Sequence, residues 1–423
     1  MTFEKNLAFQ FLGDIAFERS GGTPAEDRVV KLICGAVRRA GAVPKVETFT
    51  IHTFTKGTAG LEILAPYKKQ YEAKPMALTG SFPKGGKVLP LAYIQAIGPA
   101  ALEDVKGKAL YGYNICKTEH FKDMRSAGVM ALVNIFEAGK MLRYQRFGER
   151  AVKRFGRIPT IAIPFEAGME MVQKNASKAR ITLEQGEKKA LSKNVIAVIP
   201  GTSPNVREEI IVCGHHDSVP DSPGANDNGG GAAIMVALLK HFVKNPTRRA
   251  LRFIWFGSEE HGLLGSQAYV RAHEKEMERV KMVVNMDGAG RLVDCNYVVT
   301  TGQDDLRHFV DIIGKERGLD LRVTEGAFGS DGVPFTWHEI PCINITRGAD
   351  SNIFVHTLND NFKTCGADGL APNGELALEI IQRLGNARQF PFKRGFNETV
   401  RKNLKDSYDR MLLSRREMPK WCR

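Results

Sequence analysis

Three near-continuous apolar runs, residues 210–213 (IIVC), 251–256 (LRFIWF) and 282–286 (MVVNM), constrain this chain more than any other feature. Each has the length of a strand and too little polar alternation to leave one face in water. Helix-length segments separate them, at 231–243 and 264–276. Further strands at 195–198, 297–300 and 342–345, and helices at 306–317 and 375–384, continue the alternation. The pattern predicts an α/β fold: a mixed, mostly parallel sheet flanked by helices on both faces.

Upstream, residues 25–40 repeat apolar side chains at helical spacing (Val29, Val30, Ile33, Ala36, Val37), and residues 46–54 read as a strand. Between about 75 and 187 the character changes to short β-type runs and turns, with strands expected at 89–94, 108–113 and 129–135 and a helix at 121–127. A chain of 423 residues exceeds one average domain. The expected organisation is 1–74 as first elements of the main domain, 75–190 as a small β-rich insert, 191–388 as the core, and 389–423 as a basic C-terminal extension.

The formal charge of +13 raises nucleic acid or anionic membranes as partners. Much of the excess lies after Arg388, in residues such as Lys393, Arg394, Arg401, Lys402, Lys405, Arg410, Arg415, Arg416, Lys420 and Arg423. No nucleic-acid motif accompanies it, so a solvated helical face or a contact between copies of the chain is expected, with no nucleic-acid partner. The seven cysteines are scattered and form no C-x-x-C pair, which argues against a disulfide framework or a structural zinc module. Residues 1–21 lack the pattern of a secretory leader, and no stretch has the length of a membrane span. Cytoplasmic residence without a membrane partner is the expectation.

Five polar clusters follow the C-terminal ends of the expected strands, where open α/β sheets place ligand sites. They are His215-His216-Asp217, Asn226-Asp227-Asn228, Glu259-Glu260, Asn285-Met286-Asp287 and His356-Thr357. Buried and unpaired, such charges would be costly, and a divalent ion neutralises several carboxylates at once. Two imidazoles and three carboxylates suit zinc or a similar borderline ion, cobalt or manganese included. Asp227 is the natural bridge between two ions, because Gly224 and the Gly229-Gly230-Gly231 run let backbone crowd them. That run lacks the Lys-Ser/Thr ending of a phosphate loop. Neighbours at a strand end point in opposite directions, so one of Glu259 and Glu260 can ligate while the other serves as a base toward water. Asp217, two residues beyond His215, shares its face and can accept the imidazole's other N–H. Any of these residues alone reads more simply as a surface or core group; their conjunction points to metal. His216 is not expected to ligate, His241, His261 and His273 fall at structural or exposed positions, and His338 could approach the cleft.

The stretches G-H-H-D-S-V, P-G-A-N-D-N, S-E-E-H-G-L-L-G-S, N-M-D, S-D-G-V-P-F and V-H-T-L-N-D together resemble the zinc peptidase family that contains bacterial leucyl aminopeptidases, aminopeptidase Y and glutamate carboxypeptidase. The resemblance covers about residues 195–384. It implies the zinc exopeptidase fold and two Zn2+, with His215 and Asp287 on one, Glu260 and His356 on the other, and Asp227 bridging. It implies Glu259 as general base and Asp217 as the aspartate behind the ligands, and places Ser330-Asp331 in the cleft wall. Gly107-Lys108-Ala109-Leu110, Arg125-Ser126-Ala127-Gly128 and the apolar stretch 158–163 before Gly168 resemble a protease-associated domain. The chain departs from the family where Gly288-Ala289-Gly290 follows Asp287, in place of a bulkier pair, and in the tail beyond Phe390.

The leading functional expectation is an aminopeptidase acting on peptides, possible as a homo-oligomer. A carboxypeptidase or dipeptidase with the same metals would need a cation for the substrate carboxylate, which Arg291 or Arg347 could supply. A non-catalytic peptide-binding protein on the same scaffold would have no need of Glu259.

Overall fold

The computed structural model describes residues 2–348, 354–414 and 417–422; Arg415, Arg416 and Arg423 of the basic tail lie outside the described residues. The chain forms two compact units, one of Met1–Ile51 with Ala190–Arg423, the other His52–Lys189.

The first unit is built on an eight-stranded mixed sheet. Its strands are β1 (Lys45–Phe54), β2 (Glu187–Ile199), β3 (Glu209–His215), β4 (Ala250–Phe256), β5 (Val280–Met286), β6 (Asn296–Thr301), β7 (Leu321–Glu325) and β8 (Cys342–Arg347). The order across the sheet is β1-β2-β4-β3-β5-β8-β6-β7. β4, β3, β5 and β8 run parallel, while β2 and β6 pair antiparallel to β4 and β8. From β3 the chain moves to β4 on one side and then returns to β5 on the other. The C-terminal end of β3 is therefore a topological switch point, where two connections diverge and leave a crevice.

Among the described residues, seven helices of more than eight residues accompany this sheet: α1 (Lys5–Ile15), α2 (Pro24–Arg39), α3 (Gly231–Lys244), α4 (Leu264–Ala272), α5 (Asp304–Glu316), α6 (Ala367–Asn386) and α7 (Glu398–Arg410). α2 starts where its sequence dictates, with the Thr23 hydroxyl accepting from the Glu26 amide, Pro24 in the first turn, and Arg38 and Arg39 in the last. α3 is apolar on nearly every side, and Ala232 to Leu239 are all buried. It packs against α1, α2 and α6, and the shared core holds Leu12, Val212, Trp255 and Val284. α1 is a helix beyond those expected: its apolar residues Ala8, Phe11, Leu12 and Ile15 form a short buried stripe.

Two expected boundaries are corrected. The second unit starts at His52, not at residue 75, because Thr58–Ala65 pairs antiparallel with Lys178–Glu184 and with Lys69–Tyr71. Its other strands include a parallel run of Lys87–Tyr93, Ala109–Tyr113, Ala131–Ile135 and Thr160–Ile163. The described residues of the expected extension, 389–414 and 417–422, are part of the first unit. Asn397 caps α7, its side chain accepting from the Val400 amide at 2.9 Å, and the helix buries Val400, Leu404 and Tyr408 against Leu263, Val333 and Phe396. The Tyr408 hydroxyl lies 2.6 Å from Thr336 Oγ1, and Trp421 Nε1 donates to the Thr336 carbonyl. The tail's cations made it read as solvated, while its apolar side chains, three to four residues apart, decide where it goes.

Candidate metal centre

Parallel β3, β4, β5 and β8 end on one side of the sheet, and the polar clusters follow those ends. His215 is the last residue of β3, Glu259 and Glu260 follow β4, Asp287 follows β5 directly, and His356 lies beyond β8. Asp227 comes from the segment Ala225–Gly230 that leads into α3, where its peptide bond to Asn228 is cis.

These side chains converge on two groups that share one carboxylate. His215, Asp227 and Asp287 form the first, and Asp227, Glu260 and His356 the second; within each, the ligand atoms lie within 4.8 Å of one another. Asp227 faces both ways: Oδ1 is 3.2 Å from His215 Nε2, and Oδ2 is 3.2 Å from His356 Nε2. Asp287 Oδ1 is 3.4 Å from His215 Nε2, and Glu260 Oε2 is 3.0 Å from His356 Nε2. Glu259 stands further off, its Oε2 3.9 Å from His215 Nε2, although it can also form a group with His215 and Glu260.

The electrostatics explain what such a cluster needs. Burial pushes the Glu259 carboxyl well above the usual range, with His215 opposing and Glu260, Asp287 and Asp331 adding to the rise. Burial also works against charge on His215, yet Glu259, Asp287, Asp217 and Asp227 together raise it well above an ordinary imidazole. The acids thus draw positive charge onto the imidazoles. Divalent ions would supply that charge directly, and the nitrogen and oxygen donors fit zinc-type coordination with no thiolate.

Two buried aspartates, Asp217 and Asp360, hold the backbone that carries the ligands. Asp217 is fully buried, and its carboxylate accepts from the Glu259 amide at 3.0 Å and the Glu260 amide at 3.2 Å. Its Oδ1 is 3.5 Å from His215 Nδ1, so the expected imidazole contact is the longer of its interactions. Asp360 does for Asp227 what Asp217 does for the glutamates: it accepts from the Asn226 amide at 2.9 Å and the Asp227 amide at 3.0 Å. Ser258, just ahead of Glu259, has φ +55° and donates to Ser192 Oγ at 2.8 Å; Ser192 in turn donates to Glu26 at 2.5 Å. Burial pushes Glu26 up to about 7, despite those hydrogen bonds.

Gly288-Ala289-Gly290, where the chain departs from the pattern it resembles, lies against the Asp227 segment. The Ala289 amide donates to the Asn226 carbonyl, and a Cβ added at Gly230 would stand 1.8 Å from the Ala289 oxygen. Ser330 and Asp331 are buried beside the centre; Ser330 Oγ accepts from Asn285, and burial pushes Asp331 up to about 7, with His215 and Ser266 opposing. The remaining histidines stay outside the groups found among the described residues. His216 Nε2 meets the Lys193 carbonyl at 2.9 Å. His241 lies on α3, His261 follows Glu260, and His273 sits between Glu47 and Glu276. His338 closes the turn Val333–His338 and does not join the centre.

Residues 194–381 match the sequence profile described as Peptidase family M28. The profile spans less than half of the chain, and over those residues the chain is similar to that family. Across more of its length, the chain is similar to Aminopeptidase YwaD of Bacillus subtilis, 28% identical over 409 residues, covering 92% of this chain and 84% of the relative. It is 27% identical to an aminopeptidase of Pseudomonas aeruginosa over 417 residues, covering 88% and 77%. The fold matches the solved structure of BSAP, a zinc aminopeptidase from Bacillus subtilis, with a TM-score of 0.78 at 24% identity over 93% of this chain and 98% of that one. A Peptidase M28 precursor from Shewanella amazonensis superposes with a TM-score of 0.79 at 18% identity, over 93% and 95%.

Proposed function

We propose that the chain is a zinc-dependent aminopeptidase that hydrolyses the N-terminal peptide bond of peptides at a two-metal centre. The observation that carries this reading is Asp227, whose two oxygens each meet a different imidazole at 3.2 Å. One zinc would be held by His215, Asp287 and Asp227, the other by Glu260, His356 and Asp227. Ions bound there would polarise the scissile carbonyl and acidify a shared water.

Glu259 is the proton carrier. Its longer distance from the imidazoles and its raised affinity for a proton suit it to accept one from water and deliver it to the departing amine. Asp217 fixes its backbone, and so the position from which the carboxylate acts. The relatives named as aminopeptidases support action at the N-terminal end. The arginines that a carboxypeptidase would need are committed elsewhere. Arg347 donates to the Arg291 and Leu292 carbonyls and to Asn296, and Arg291 meets Asp294 at 3.2 Å.

For the second unit we keep the reading of a protease-associated insert. Gly107 and Gly128, at positive φ, open the strands Ala109–Tyr113 and Ala131–Ile135, and the Gly107 amide donates to the Gly128 carbonyl. Seven unpaired cysteines fit residence in a reducing compartment such as the cytoplasm.

Amino-acid anilides and N-blocked peptides, assayed with zinc and after chelation, test the function. The expected result is zinc-dependent cleavage of the anilides alone, with Glu259→Gln lowering kcat by about 10²–10⁴-fold while zinc is still bound. Cleavage of N-blocked peptides alone would move the assignment to a carboxypeptidase, and no cleavage of either by zinc-loaded protein would end the peptidase reading.

A further inference from the structure

Arg19 belongs to none of the motifs, yet it is fully buried. Its Nε donates to the His216 carbonyl at 2.5 Å, Nη1 to those of Pro223 at 2.5 Å and Phe17 at 3.1 Å, and Nη2 to that of Gly224 at 2.7 Å. Its amide donates to Ser218 Oγ at 3.0 Å, and that hydroxyl lies 3.0 Å from the Ser222 carbonyl it donates to. A single side chain thus ties both ends of the loop 216–224. That loop leaves His215 at one end and reaches Asp227 three residues after the other.

The loop end is tightly packed beside the guanidinium. Gly224 has φ +55°, and a Cβ there would lie 2.4 Å from the Asp227 carbonyl oxygen, 2.7 Å from Ser218 Cβ and 3.3 Å from Nη1. The planar fork matches several fixed carbonyls at once, which a lysine ammonium on a flexible stem cannot do. Burial lowers Arg19 to about 10, with Asp217, Asp360, Asp227 and Glu260 opposing that fall, so the group remains a cation at neutral pH.

We propose that Arg19 is a positioning residue for the metal centre, fixing the 216–224 loop and hence the spacing of His215 and Asp227 before any ion arrives. The inference rests on the two-metal reading above. Charge and geometry here have opposite signs. A nearby cation repels incoming zinc, so removing it would tighten binding if charge were all that mattered. If the loop is what matters, removing it weakens binding.

The experiment is chelator competition for zinc on wild type, Arg19→Lys and Arg19→Met, with the melting of each metal-free protein and the cobalt(II) absorption spectrum recorded beside it. Both variants are expected to lose about 10–100-fold in zinc affinity, as changes behind metal ligands typically do, and to give altered cobalt bands. Unchanged or tighter zinc binding in either variant overturns the inference. Should neither variant fold, hydrogen exchange on the wild type decides. Equal protection of amides 216–224 with and without zinc supports Arg19 as the organiser, and protection only with zinc overturns it. Wild type that takes up no zinc overturns the metal reading and the inference together, whereas normal uptake with indifferent variants overturns the inference alone.

Discussion

Asp217 shows how one buried carboxylate can serve three partners: two glutamate amides and, at longer reach, the His215 imidazole. In Asp217→Asn one oxygen becomes an amino group that must face an N–H, so the Glu259-Glu260 turn loses an acceptor it cannot replace. Zinc affinity measured by chelator competition is expected to fall about 10–100-fold. An unchanged affinity would show that the turn holds without it. At this scale the sequence was readable where side chains are the actors. His215, Asp227, Glu260, Asp287 and His356 follow strands that pair side by side, and the structure gathers them. It was unreadable where backbone is the partner. Arg19 and Asp360 act on carbonyls and amides, which every residue carries, so nothing in the spelling of the chain marks whom they hold.

Among the elements, the junction between the Ala225–Gly230 segment, α3 and the end of β5 is the most tightly specified. Asn228 donates to the Met286 carbonyl at 2.7 Å and accepts from the Gly231 and Gly288 amides, so one side chain joins the three pieces. The glycines here make room for backbone rather than for a bound ligand. Gly230→Ala would drive a methyl into the Ala289 oxygen, and urea denaturation is expected to show a loss of about 3 kcal/mol, the upper range for overpacking. A loss below about 0.5 kcal/mol would mean the two segments can separate freely. The strands of the sheet were legible because their apolar runs suit burial on both faces. β7, Leu321–Glu325, escaped because its alternating polar residues leave no such run, and it lies at the sheet edge.

For the molecule as a whole, the placement of residues 389–423 changes what the charge of +13 means. A segment whose Val400, Leu404 and Tyr408 are buried is anchored to the fold, and some of its cations are used there too: Arg394 donates to the His338 and Val280 carbonyls, and Arg401 pairs with Glu339. Tyr408→Ala, which removes a fully buried ring and its bond to Thr336, is expected to lower stability by about 3–5 kcal/mol. A thermal melt unchanged from wild type would show that the tail is dispensable to the fold. The domain plan was only partly legible: a change of composition near residue 75 stood out, while the true start of the second unit depends on a strand pairing with residues more than a hundred positions later.

The first unit is interrupted between Ile51 and Ala190, and that has a consequence for synthesis. Arg19 leaves the ribosome long before the carbonyls of His216, Pro223 and Gly224 that it will bind. At about 5–20 residues per second, the gap is roughly 10–40 s. Through that interval α1 and α2 carry apolar stripes with no sheet to cover them. The second unit, continuous from His52 to Lys189, can close first on the growing chain, leaving α1 and α2 as the stretch that a chaperone would have most reason to hold.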